Sequence, residues 1–202
     1  MVSQLFSLPV NIPFKRIYNR MGHRISTEIS AEMKDKIDRT INDAFTMCEL
    51  KARYDFFDVK NNDGKNISIG TEIFVSESFC DLMKNCSKIA LFAVTIGSKL
   101  MEKRQNFLDT SEIFNAVIYD AVGSEIVEEG AEYMHCFLGK IAAPKGGSIL
   151  KKRFSPGYSD MSLEMQKKVF KLLNPEAIGI QLSPSCLMIP EKSITAFVGI
   201  ES

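Results

Sequence analysis

The residues best equipped for chemistry lie together in Arg153-Phe154-Ser155-Pro156-Gly157-Tyr158-Ser159-Asp160. Pro156 presets φ for the second position of a turn, and Gly157 supplies the positive φ that a type II turn needs at the third. Such a turn brings Arg153 and Tyr158 close to one another. A guanidinium fork beside a phenol suits a carboxylate held next to a planar or cationic group. The plain alternative is a surface turn with an isolated arginine, because most Pro-Gly turns only reverse the chain. A second candidate is Glu128, in a run with Glu125, Glu129 and Glu132. Glu125, Glu128 and Glu132 share one helical face by their spacing. A solvated acidic face accounts for most of them. Glu128 stands apart because its helical neighbours are Ser124 and Ala131, next to a seam of small residues. A carboxylate over such a groove can receive a cationic ligand.

The elements that must position these groups are legible in part. A helical pattern opens at Asp109, read as an N-cap with Glu112 as its capping-box partner, and runs to about Leu138. Such a helix spans about 45 Å. Ala116, Gly123 and Gly130 recur along one side, where small residues allow close approach of another backbone or a ligand. Ser30 to Leu50 reads as an amphipathic helix through Met33, Ile37, Ile41, Phe45 and Cys48. Ala52 to Val59 and Asn66 to Ile69 read as a hairpin around Asn61-Asn62-Asp63-Gly64. Ser78 to Asn85 suggests a short helix. Lys88 to Ile96 is a nearly continuous apolar run, the pattern of a strand covered on both faces. Ala142 to Ser148 reads as a loop. Ser162 to Leu173 is an amphipathic helix with Leu163, Val169, Phe170 and Leu173 inward. The tail alternates from Ile178 to Ile200, as a half-buried, hairpin-like pair of strands. Helices and strands mix without a βαβ rhythm. The expected fold class is therefore α+β: a mainly antiparallel twisted sheet packed with a long central helix and several shorter helices, residues 1–202 forming one domain.

Composition narrows the function. At 202 residues and 45% apolar content the chain can bury a proper core. Lys+Arg and Asp+Glu both number 25, which argues against a general nucleic-acid binder. The one basic cluster, Lys151-Lys152-Arg153, is too short to change that. No apolar segment approaches a membrane span, and Met1 to Pro13 lacks the pattern of a signal peptide, so a cytoplasmic location is expected. Five cysteines without a Cys-x-x-Cys pair read as free thiols in a reducing compartment. The two histidines, His23 and His135, stand in no triad-like or metal-ligand pattern, so no metal site is expected. There is no Gly-x-Gly-x-x-Gly, no Walker-type loop and no Gly-x-Ser-x-Gly elbow.

Three segments carry a resemblance to a known family. Arg153 to Tyr158 looks like an Arg-x-x-x-Gly-Tyr motif. Ala121 to His135 is similar to a long helix ending in Ala-Glu-Tyr-x-His. Leu187 to Ala196 resembles that family's closing sheet. A weaker likeness extends through Phe92 to Gly97. The family is the activation, or reactivation, domain of vitamin B12-dependent methionine synthase, and the chain resembles its free-standing relatives over about residues 85–200. Residues 1–75 match only weakly.

The resemblance implies a domain that binds S-adenosylmethionine and presents it to cobalamin carried by a partner protein. Methyl transfer with one electron from a flavodoxin-like donor would return inactive cob(II)alamin to methylcobalamin. The chain would then serve a methyltransferase of methionine biosynthesis as a subunit. By motif position, Arg153 would grip the ligand carboxylate. Ser155 would offer backbone contacts, Gly157 would belong to the S-adenosylmethionine site, Tyr158 would line the ligand near the methyl group as the catalytic residue, and Glu128 would sit by the positive end. The chain departs from the family pattern at Val198, where a tyrosine is usual. It also departs at Gly146, Gly147 and Ser148, where an acidic residue precedes the arginine. Those departures support an alternative: a non-catalytic module that docks on a corrinoid protein or senses it. Service to another corrinoid methyltransferase, such as a demethylase system, is a third reading.

Overall fold

The structure is a computed structural model and describes residues 2–23 and 29–201. In chain order it runs β1 (Ser3–Leu5), α1 (Phe14–Arg20), α2 (Ala31–Thr46), β2 (Lys51–Asn62), β3 (Asn66–Ile69), β4 (Glu72–Val75), α3 (Glu77–Leu82) and β5 (Cys86–Thr95). It continues through α4 (Lys99–Asp109), α5 (Ile113–Ala142), β6 (Ser148–Ile149), α6 (Gln166–Leu173), β7 (Gln181–Leu182), β8 (Met188–Ile189) and β9 (Ser193–Glu201). The main sheet has seven strands in the order β4-β3-β2-β5-β9-β6, with β1 also paired to β2. Every pairing in it is antiparallel. The α+β expectation is thus met, long helix included.

Strand alternation explains why β5 is apolar throughout. Ala90, Phe92 and Val94 face one way and join a core with Ile37, Ile41, Ile126 and Met134 of the helices. Ile89, Leu91 and Ala93 face the other way, into a second core with Phe74, Phe79, Val169 and Phe197. A strand buried on both faces has no polar side to show. Helix α5 lies over the first face, flanked by α1, α2 and α4. Helices α3 and α6 cover the second.

The hairpin expected around Asn61 to Gly64 forms between β2 and β3, and Gly64 takes φ +89° in its turn. Ser30 caps α2, its Oγ accepting from the Met33 amide at 3.1 Å. That helix stops at Thr46, so Cys48 lies beyond it.

Four expectations need correction. Asp109 does not open the long helix. It closes α4, an element the pattern reading did not distinguish, and α5 begins only at Ile113. Ser111 takes φ +61°, a left-handed step that separates the two helices, and the Glu112 side chain caps nothing. The small-residue seam admits side chains, not a backbone or a ligand. A Cβ on Gly130 would stand 2.8 Å from Leu50 Cδ2 and 2.9 Å from Val94 Cγ1. The segment from Ala142 to Ser148 is less irregular than expected, holding a 3₁₀ turn at Ala143–Lys145 and the start of β6. The tail does not pair with itself throughout. β7 and β8 form a small separate hairpin, while β9 enters the main sheet between β5 and β6, buried on both faces.

Candidate functional site

Antiparallel pairing of Phe154 with Phe197 sets the site. Their amides and carbonyls exchange hydrogen bonds at 2.9 and 2.8 Å, adding a one-residue bridge to the edge of β9. Phe154 is thereby turned into the second core, with its ring centroid 5.1 Å from that of Phe79. Alternation sends its neighbours the other way. Arg153 and Ser155 both line a cleft of about 300 Å³ between this segment and α5, along with Glu128, Glu132, His135, Tyr158 and Ile194. Ser155 Oγ donates to the Thr195 carbonyl at 2.7 Å, so its hydroxyl is committed to holding the segment on β9.

The turn that follows has the geometry its sequence dictates. The Tyr158 amide donates to the Ser155 carbonyl at 3.1 Å, and Gly157 has φ +90°. Pro156 and Gly157 therefore occupy the second and third turn positions. Gly157 is exposed and lines neither this cleft nor its neighbour. Tyr158 is 58% exposed at the cleft rim, its ring centroid 6.4 Å from that of Phe154. Asp160 fastens the turn to the other face of the sheet. Its carboxylate accepts from Ser76 Oγ and from the Glu77 amide, both at 2.6 Å. Those hydrogen bonds, led by Ser76, hold the Asp160 pKa down at about 2.

Across the cleft, α5 presents two carboxylates one turn apart. Glu128 Oε2 lies 3.2 Å from Arg153 Nη2, and Glu132 Oε2 lies 3.4 Å from Nη1. The Arg153 side chain is 25% exposed, whereas the glutamate side chains are 44% and 60% exposed. The structure thus brings Glu128, Arg153, Ser155 and Tyr158 together, as their motif positions imply. Glu128 pairs directly with Arg153. The rest of the acidic run is not a solvated face. Glu125 is buried against Arg16 and Arg20 of α1, at 2.9 and 2.6 Å, and Glu129 pairs with Arg16.

Glu132 and His135 are cleft residues that the sequence reading did not select. Their three-residue spacing on α5, with Glu128 four residues earlier, is the signal that could have found them. Burial lowers the His135 pKa. The charge of Glu132 pulls it up and that of Arg153 pushes it down, and a hydrogen bond with the Leu150 backbone raises it. Val198 lies in the first core and lines neither cleft. On β9 the positions that face the cleft are Ile194 and Ala196.

A second groove of about 620 Å³ shares Ser155, Tyr158 and Ile194 with the first. Leu163, Leu187, Met188 and Ile189 give it an apolar lining, and Gln166 and Thr195 supply polar groups. The Thr195 hydroxyl donates to Gln166 Oε1 at 2.9 Å. A charged cleft opening onto an apolar groove can seat a ligand with a zwitterionic head and a larger, flatter body.

The class that this fold defines is an antiparallel sheet crossed by one long helix, with the cleft between that helix and the last strands. No protein-family model matches the chain, and no curated protein sequence matches it. A solved structure does: the MetH reactivation domain bound to AdoHcy superposes with a TM-score of 0.72 at 16% sequence identity, covering 98% of this chain and 78% of that one. The chain has the fold of that reactivation domain. Among the described residues, no helix is long and apolar enough to cross a membrane.

Proposed function

We propose that the protein binds S-adenosylmethionine, and its demethylated product AdoHcy, in the cleft between α5 and the Arg153–Tyr158 turn. The observation that carries this reading is the guanidinium of Arg153 beside the carboxylate of Glu128, 3.2 Å apart. An amino-acid head group needs that pair: a planar fork for its carboxylate and an anion for its ammonium. The nucleoside would extend past Ser155 and Tyr158 into the apolar groove. The fold it shares with a domain bound to AdoHcy supports the same assignment. On this reading Tyr158, at the exposed rim, lies by the methyl group, and Gly157 acts by shaping the turn.

The finer role follows from the resemblance. The chain would present the methyl donor to cobalamin held by a partner, such as methionine synthase or another corrinoid protein, with a flavodoxin-like donor supplying the electron. What this chain contributes is binding and orientation: Arg153 and Glu128 fix the head, and the turn fixes the distance of the methyl group from the surface. Calorimetric titration with AdoHcy and with S-adenosylmethionine tests the reading. Saturable one-to-one binding of both is expected, and binding of neither would overturn it. A second reading, a docking module without its own ligand, is favoured by one observation. Arg153 is already paired with two carboxylates of its own chain. Capture of a corrinoid protein regardless of added S-adenosylmethionine, with no heat of ligand binding, is the result that reading predicts.

A further inference from the structure

The ligand contacts proposed above leave out Glu132 and His135, yet both line the cleft with Arg153. Each terminal nitrogen of the Arg153 guanidinium meets one glutamate. A ligand carboxylate on the same guanidinium would lie against two like charges already paired with it, so it binds more tightly when one glutamate gives way. Glu132 is the looser partner, at 3.4 Å against 3.2 Å and 60% exposed against 44%. His135 lies three residues further along α5, on the face that carries Glu132. Its Nδ1 is buried with no hydrogen-bond partner, the one such side-chain atom among the described residues. A buried nitrogen left unpaired in this way calls for an explanation in function or strain. The charged groups around it are Glu128 and Glu132 from α5 and Lys151, Lys152 and Arg153 from the facing segment.

We propose that Glu132 is a positioning residue that competes with a ligand carboxylate for the Arg153 fork, and that His135, on taking a proton, draws Glu132 away and leaves the fork to the ligand. The identity of the ligand rests on the reading above. The competition itself does not, because any carboxylate at Arg153 meets it. With neutral His135, Arg153 is the cation that pairs with Glu132, whose other oxygen accepts only a weak bond from the Cys136 thiol at 3.9 Å. With His135 charged, Glu132 has a second cation one turn away, and Nη1 of Arg153 is released. Carboxylate affinity therefore rises as pH falls through the His135 titration, which burial sets below its ordinary value.

The test has two arms. The chain has two histidines, so proton–carbon spectra of the imidazoles resolve His135 from His23, with His135→Gln fixing the assignment. In Glu132→Gln the His135 midpoint should move to lower pH than in the wild type, and an unchanged midpoint would overturn the coupling. In the second arm AdoHcy is titrated calorimetrically at pH 5.5 and 7.5. Wild type should bind about two- to fivefold more tightly at the lower pH, the range of one partly exposed ion pair. Glu132→Gln should bind more tightly than wild type at pH 7.5 and lose the pH dependence. Weaker binding by Glu132→Gln would overturn the competition by making Glu132 a ligand contact. If AdoHcy binds wild type at neither pH, the ligand reading falls, and the histidine titration alone decides whether Glu132 and His135 are coupled.

Discussion

Replacing Arg153 with alanine separates the two things that this residue does. In the protein it bridges Glu128 and Glu132 at 3.2 and 3.4 Å, with carboxyl side chains 44% and 60% exposed. Long, solvated ion pairs of this kind contribute about 0–1 kcal/mol. For a chain of this size that corresponds to a melting-temperature change of no more than about 4 °C. A ligand carboxylate on the same guanidinium is a different case, because it would accept charge-assisted hydrogen bonds worth about 1.5–3 kcal/mol. At about tenfold per 1.4 kcal/mol, Arg153→Ala should weaken AdoHcy binding about 10- to 150-fold. Arg153→Lys should fall between, because an ammonium keeps the charge and loses the fork. Calorimetry reads the affinity and thermal unfolding without ligand reads the stability. Wild-type affinity in Arg153→Ala would refute the site. A loss of stability well beyond 1 kcal/mol would refute the claim that the arginine serves binding more than folding.

Three further outcomes are expected. Gly130→Ala gains about 1 kcal/mol of helix propensity and meets Leu50 and the stiff Val94 below 3.0 Å, an overpacking cost of about 1–3 kcal/mol. It should therefore be destabilised by up to about 2 kcal/mol in urea unfolding. Glu125→Ala strips Arg16 and Arg20 of a buried carboxylate and should cost about 1–3 kcal/mol, with faster amide exchange confined first to α1. Asp160 has its pKa depressed from 3.8 to about 2, so its contribution is full above the ordinary carboxylate range and is lost as pH falls through about 2. Acid unfolding of Asp160→Asn should lack that part of the pH dependence, and a profile parallel to wild type would count against the Ser76 and Glu77 hydrogen bonds.

Local rules carried much of the reading. Pro156 and Gly157 determined their turn because proline fixes one dihedral that the turn requires and glycine permits the other. The β5 run was legible because burial on both faces leaves no other composition. Helix α4 was missed although Ser98, Leu100, Met101, Phe107 and Leu108 offer a helical pattern, because only Leu100 is fully buried and charges crowd the rest. The break at Ser111 reads like a cap, since an acidic-Thr-Ser-Glu sequence suits either role. The pairing of β9 with β5, some hundred residues apart, follows from tertiary packing that period-two alternation cannot specify. The cleft was half legible. Its arginine and turn stand in one short segment, but Glu132 and His135 acquire meaning only when Phe154 pairs with Phe197 and brings that segment over α5.

The most direct test of the central claim is a crystal structure of the protein grown with AdoHcy. The account predicts the ligand between α5 and the Arg153–Tyr158 turn, its carboxylate on Arg153, its ammonium by Glu128 and its nucleoside in the groove beside Leu187. Ligand density elsewhere, or an unchanged Arg153–Glu132 pair at saturating AdoHcy, would contradict it.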